Sequence, residues 1–168
     1  MISKLKALLD EGIDVGLNKE DNVLYLGASH GVTAKIISKI VGSKGFVFCL
    51  EVSSIVMRDL LKVCEDNENM VPLLYDANKM EEYEDKIKKV DFIYQDLAQR
   101  NQVSIFKKNS ETFLKEKGKF VLIIKAKSID AVKDVKEVIE NVKKEMGDVK
   151  VVDMGKTHKG HYAILGEK

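Results

Sequence analysis

The sequence predicts a doubly wound α/β sandwich, a mostly parallel sheet with helices on both faces, and three observations predict it. Short β-branched or apolar runs alternate with longer helical patterns along the whole chain. The first five of these runs are nearly continuous in hydrophobicity, which suits parallel strands covered on both faces. The last two runs are joined only by Asp153 to His161, too short for a helical crossover, so they should pair antiparallel.

Each element follows from its residues. Ser3 precedes the first helix and Asp21 suits a turn. Val23-Leu24-Tyr25-Leu26 is the first strand run, and a glycine-containing loop, Gly27 to Thr33, opens onto a helix. Phe46 to Leu50 is the second run, followed by a helix with an apolar side of Ile55, Val56, Leu60, Leu61 and Val63. Val71 to Leu74 and Val90 to Tyr94 are the third and fourth. The next helix turns Val103, Phe106, Phe113 and Leu114 to one side. Phe120 to Ile124 is the fifth run, and Val132, Val135, Val138, Ile139, Val142 and Met146 form another helical stripe. Val149 to Val152 and Tyr162 to Leu165 complete a sheet of seven strands, the last of them antiparallel.

At 168 residues, with one proline (Pro72), no linker and no repeat, residues 1–168 read as a single domain. Apolar residues are 45% and charged residues 33%, the balance of an ordinary globular chain. Lys plus Arg total 28 against 27 for Asp plus Glu, a formal charge of +1. That excludes a protein whose affinity for nucleic acid rests on a large basic excess. No apolar run is long enough for a membrane span, and Met1-Ile2-Ser3-Lys4-Leu5 has no secretion-signal core. Cys49 and Cys64 fall in a predicted strand and a predicted helix, with no spacing of a metal site. The expected location is the reducing cytoplasm.

Four consecutive strand ends carry residues suited to a nucleoside. Gly27, Ala28, Ser29, Gly31, Val32 and Thr33 form a tight turn into a helix N-terminus with free N–H groups. The spacing is G-x-x-x-G, not the dinucleotide G-x-G-x-x-G. Glu51 follows the second strand, where a carboxylate accepts from ribose hydroxyls. Asp76 and Ala77 follow the third, where an adenine amino group would sit. Asp96-Leu97-Ala98-Gln99 ends the fourth. Singly, each has a plain alternative as a turn or cap residue, but together they mark the ligand-binding edge of an open α/β sheet. With the antiparallel final hairpin, the reading is a Rossmann-like class I fold binding S-adenosyl-L-methionine (SAM) rather than a nicotinamide cofactor.

Several segments resemble the fibrillarin family of RNA 2′-O-methyltransferases, especially its archaeal branch. They are Val23 to Ser29, Ile40-Val41-Gly42, Asn69 to Leu73, Asp76-Ala77, Glu81-Glu82-Tyr83, Val90 to Gln99 and Lys125 to Asp130. The Y-Q-D-x-A-Q and K-A-K-S-I-D stretches are the most specific. The resemblance implies SAM binding by Gly27, Ala28, Ser29, Val32, Thr33, Glu51, Asp76, Ala77, Asp96, Leu97 and Gln99, with Val52 beside the ribose and S-adenosyl-L-homocysteine as product. It implies a Lys-Asp-Lys-His active site at Lys4, Asp96, Lys125 and His161, and no metal. Family members carry a small β-rich N-terminal domain ahead of the S-K-L segment. Here Met1 falls just before that segment, and His30, Val32 and Arg100 depart from the usual residues.

Methylating a ribose hydroxyl needs an aimed oxygen nucleophile and help in losing its proton, typically worth ~10²–10⁴ in rate. The expected arrangement holds Lys125 near Asp96 to orient and deprotonate the hydroxyl, with Lys4 on the ribose or phosphate and His161 completing the network. An antiparallel last strand starts at the edge where strands four and five end, so His161 can meet Asp96 and Lys125. His158 is the substitute for His161, and His30 a loop residue near the cofactor.

Without Trp, and with lysines such as Lys86, Lys88, Lys89, Lys107, Lys108, Lys115, Lys117 and Lys119 interleaved with acids, the chain alone should bind RNA weakly. The resemblance implies that targeting comes from a box C/D ribonucleoprotein: a Nop-domain scaffold protein, a guide RNA, a kink-turn-binding ribosomal-type protein, and rRNA or tRNA as substrate. Two alternatives are a SAM-dependent methyltransferase of another substrate and a non-catalytic scaffold subunit with the same fold.

Overall fold

A computed structural model describes residues 2–168. The chain runs α1 (Lys4–Asp10), β1 (Val23–Leu26), α2 (Val32–Val41), β2 (Val47–Glu51), α3 (Ser54–Glu65) and β3 (Met70–Leu74). It continues through β4 (Val90–Asp96), α4 (Gln102–Phe113), β5 (Leu114–Lys125), α5 (Ala126–Ile129), α6 (Val135–Met146), β6 (Lys150–Asp153) and β7 (His161–Glu167). All seven strands share one sheet in the order β3-β2-β1-β4-β5-β7-β6. The first five pair in parallel, and β7 lies between β5 and β6, antiparallel to both.

The alternation of a strand divides its side chains between two cores. On one face, Tyr25, Cys49, Tyr94, Val121, Ile123 and Ala163 pack under α1, α2 and α3. On the other, Leu24, Leu50, Ile93, Leu122, Ile124 and Ile164 pack under α4 and α6. The continuous apolar runs are therefore the sequence form of a sheet with two covered faces. Edge strands β3 and β6 are less buried than the central ones.

Three sequence assignments shift. Val132 lies outside α6 and is exposed, because the Asp130 carboxylate accepts from the backbone N–H of Val132 and Lys133 and forms a turn there. Leu114 begins β5 instead of ending a helical stripe, and it is buried all the same. Ile55 and Leu61 of α3 face outward, since that helix buries Met57 and Leu60.

Candidate active site

The carboxyl edge of the parallel strands gathers the chemically capable residues. Ser3 caps α1, its Oγ accepting from Lys6 N at 3.1 Å, so Lys4 opens the helix directly above the end of β4. The Lys4 ammonium donates to both oxygens of Asp96, at 2.7 and 3.1 Å. The two side chains keep 19% and 25% of their surface accessible, so the pair is sheltered but open to a ligand. Beneath it Tyr25 packs edge-on against Tyr94, with ring centroids 4.9 Å apart. Burial, reinforced by the Asp96 charge, pushes the Tyr25 phenol far up, so it stays neutral.

Strand register decides the rest. Asp96 pairs with Ile123, which puts Lys125 two residues, roughly 6–7 Å, farther out along β5. Lys125 is exposed there and stands opposite His161. Alternation from Tyr94, Ile123 and Ala163 puts Asp96, Lys125 and His161 on the face that α1 covers. The lysine bonded to Asp96 is Lys4, and among the described residues the Lys125 side chain makes no hydrogen bond or ion pair. His161 Nδ1 donates to the Lys159 carbonyl at 3.2 Å, leaving Nε2 available. Burial holds the His161 ring below its ordinary range. The Lys159 carbonyl and Asp96 oppose that, while the charges of Lys4 and Lys125 add to it.

The glycine loop adjoins this cluster. Gly27 takes φ +86°, and a Cβ there would lie 2.6 Å from the Asp96 carbonyl oxygen, so only glycine lets the loop cross so close to β4. Gly31, at φ +83°, is the N-cap of α2 and offers no side-chain cap, leaving the first-turn N–H groups free. Ala28 is buried, Ser29 and Val32 are exposed, and Thr33 is buried in the first turn. Lys4, Tyr25, Gly27, Thr33, Asp96 and His158 help line a cleft of about 470 Å³.

On the far side of Gly27 lies a slot of about 30 Å³ bounded by Glu51, Val52, Asp76, Ala77, Leu97 and Gln99. Glu51 accepts from Ser29 N and Ser53 N, both at 2.9 Å, and so ties the glycine loop to α3 while each oxygen keeps a further lone pair. Asp76 accepts from the Asn78 N–H and amide at 2.9 and 3.0 Å, and these bonds hold its carboxyl below the usual range. Asn78 also donates to Gln99 at 3.0 Å. The Ala77 carbonyl accepts from the Asn109 amide at 3.2 Å, and the Tyr83 hydroxyl, 3.3 Å from that carbonyl, donates to Asn109 Oδ1 at 2.6 Å.

The expected residues thus lie along one edge: Lys4, Asp96 and the glycine loop in the cleft, Glu51, Val52, Asp76, Ala77, Leu97 and Gln99 around the slot, and Lys125 and His161 outside both, at the paired ends of β5 and β7. Sequence reasoning missed Asn78, Tyr83 and Asn109, which brace the Asp76–Ala77 corner. Only Asn78 carries a local signal, an Asp-x-Asn turn. His158 is buried within the cleft wall while His161 takes the place opposite Lys125.

Three comparisons bear on this edge. A fibrillarin-like rRNA/tRNA 2′-O-methyltransferase of Archaeoglobus fulgidus is 42% identical over 166 residues, 96% of this chain and 79% of that protein. The solved structure of a fibrillarin/Nop5p complex superposes with TM-score 0.90 at 41% identity, covering 97% of this chain and 79% of that one. Aeropyrum pernix fibrillarin with natively bound SAM superposes with TM-score 0.85 at 36% identity, over 96% and 73%. The sheet order, with its antiparallel β7, is the SAM-dependent methyltransferase fold shared with that structure. The fibrillarin family model matches residues 1–168, and with that match beside the shared sheet order the chain belongs to the fibrillarin family.

Proposed function

We propose that this chain methylates ribose 2′-hydroxyls of rRNA and tRNA with SAM, directed by box C/D guide RNA in a ribonucleoprotein, residues 1–168 acting as one methyl-transfer domain. The observation that carries this reading is the convergence of Lys4–Asp96, Lys125 and His161 beside the glycine cleft.

The donor set suits SAM. The uncapped N-terminus of α2 offers N–H groups to its amino-acid carboxylate, and the remaining lone pairs of Glu51 and Asp76 suit ribose hydroxyls and the adenine amine. The slot between Val52, Asp76, Ala77 and Gln99 is where the nucleoside would lie. When bound, SAM supplies a methyl group activated by an adjacent positive sulfur.

The chain's own residues do the rest. Lys4 fixes the Asp96 carboxylate, whose unused lone pairs accept from the acceptor hydroxyl. The exposed Lys125 ammonium draws in the ribose–phosphate and lowers the cost of the developing oxyanion. Asp96 accepts the hydroxyl proton as the oxygen attacks the methyl, and neutral His161 receives it in turn at Nε2.

Partners supply the targeting. The net charge is +1, and Lys86, Lys107 and Lys115 are paired with Asp85, Glu145 and Asp91. A chain so close to neutral lacks the large basic excess that tight, partner-free RNA binding draws on. A Nop-domain scaffold, a guide RNA and a kink-turn-binding protein would then hold the substrate, as the fibrillarin/Nop5p complex supports for the first of them. Among the described residues no helix is long and apolar enough to cross a membrane, and the reading places the work in the cytoplasm.

Reconstitution with scaffold, kink-turn protein, guide RNA and radiolabelled SAM tests this, with the label mapped to ribose. Lys125→Ala should lower turnover by ~10²–10⁴ with SAM binding intact. Undiminished turnover removes Lys125 from the mechanism. Calorimetry should detect SAM binding by the isolated chain, and its absence would replace this reading with that of a non-catalytic scaffold subunit.

A further inference from the structure

We propose that His158 is a positioning residue that holds Lys4 on Asp96 by tethering the segment ahead of α1, an inference that rests on the functional reading above.

His158 lies in the tight connection between β6 and β7 and is only 9% exposed, one of few buried polar residues in the chain. Its Nε2 is 2.9 Å from the carbonyl of Ile2, 156 positions away in sequence. A carbonyl only accepts, so Nε2 carries the hydrogen. Nδ1 is 3.0 Å from the Thr157 hydroxyl, which donates to it. Both ring nitrogens are therefore engaged, and His158 acts on the chemistry through what it holds. Its own backbone is fixed as well: its N–H donates to Met154 O at 2.7 Å, and its carbonyl accepts from His161 N at 3.0 Å.

The tether matters because of what it restrains. α1 has only seven residues, too few to be stable by helix propensity alone. Leu8 in the middle of that helix and Leu5 in its first turn are fully buried and hold it to the sheet. Lys4 precedes Leu5, at the end where fraying begins, and the Ile2 side chain is 54% exposed and contributes little burial. Ahead of Leu5, the Ser3 cap and the His158–Ile2 bond work with the Lys4–Asp96 pair itself to keep this end wound. If the end frays, the Lys4 ammonium leaves Asp96. The same ring lies edge-on to His161, centroids 6.1 Å apart, so one residue braces both ends of the cluster. Histidine suits this role because the ring keeps its Nε2 donor whether neutral or protonated.

The test is the acylation rate of Lys4, followed by mass spectrometry in the intact chain, with Lys6, on the opposite side of α1 and paired with Asp10, as internal control. His158→Leu should raise Lys4 labelling about fivefold, the shift expected from losing one hydrogen bond of ordinary net strength, and leave Lys6 unchanged. His158→Asn, which reaches Thr157 but not Ile2, should do the same and carries the test if the leucine variant does not fold. His158→Gln, which restores a donor at the Nε2 position, should return labelling toward the starting rate. In reconstituted particles, kcat should fall by less than about twofold, since the wound form stays in the majority, with KM for SAM unchanged, and should fall no further when His158→Leu is added to Lys4→Ala. Unchanged Lys4 labelling in a folded variant, or losses that multiply in the double variant, overturns the proposal. Labelling is read without turnover. A wild-type protein that transfers no methyl group would therefore sink the functional reading and leave this one to be decided by Lys4.

Discussion

Replacing Gly27 with alanine puts the largest load on the smallest change. The loop is pinned at this point, with Gly27 N and Ala28 N donating to the Leu50 carbonyl at 3.0 and 2.9 Å. Two costs add. A residue with a Cβ in the left-handed region costs roughly 1–2 kcal/mol. The new methyl would also stand 2.6 Å from the Asp96 carbonyl oxygen and 2.7 Å from Leu97 Cδ2. Leu97 can rotate away, but the Asp96 carbonyl is backbone, so relief moves the end of β4 at a cost of about 1–3 kcal/mol. The sum, about 2–5 kcal/mol, lowers Tm by on the order of 10 °C in a chain of this size. Displacing Asp96 and the loop should also weaken SAM binding at least ~10-fold, about 1.4 kcal/mol. Circular-dichroism melting gives the first number and calorimetry the second. Gly12→Ala is the control: its φ is +73°, nothing lies within 4 Å of the added Cβ, and it carries the dihedral cost without a clash. If Gly27→Ala is no less stable than Gly12→Ala and binds SAM as the parent does, the close approach of loop to β4 is not what glycine is there for.

Two further perturbations probe the supports. Tyr83→Phe keeps the ring stacked on Phe113 but removes a fully buried hydroxyl that donates to Asn109 Oδ1 at 2.6 Å. Stability should drop by ~1–2 kcal/mol, with weaker SAM binding as the Ala77 corner loosens; a Tm equal to that of the parent contradicts it. His161 is held below its ordinary range of about 6.5, so the folded chain binds fewer protons than the unfolded one between the depressed value and the ordinary one. Stability from this group is present above that range and is lost as pH falls through the window. Denaturant titrations across mildly acidic pH should show His161→Gln with a flatter dependence than the parent, and identical slopes would show that His161 does not titrate as described.

Much of this was legible in the chain because local chemistry encodes it. Continuous apolar runs such as Phe120 to Ile124 announce two covered faces, and the short link from Asp153 to His161 admits only an antiparallel return. Gly27, Glu51, Asp76 and Asp96 could be placed on one edge because every parallel strand presents its carboxyl end there. Where a local pattern competed with a turn, the pattern misled. Val132 fits the apolar period of α6 but sits in a turn made by the Asp130 carboxylate. Ile55 fits the stripe of α3 but lies on its outer side.

What the sequence by itself determined is the kind of fold and the rim that carries the chemistry, since dihedral preference and burial period are properties of neighbouring residues. Which lysine bonds Asp96, how the Ile2 carbonyl reaches His158, and how narrow the slot at Asp76 is were decided only in three dimensions. A register of Asp96 against Ile123 and a contact spanning 156 positions follow from how strands and helices pack on each other, and no stretch of adjacent residues contains that information.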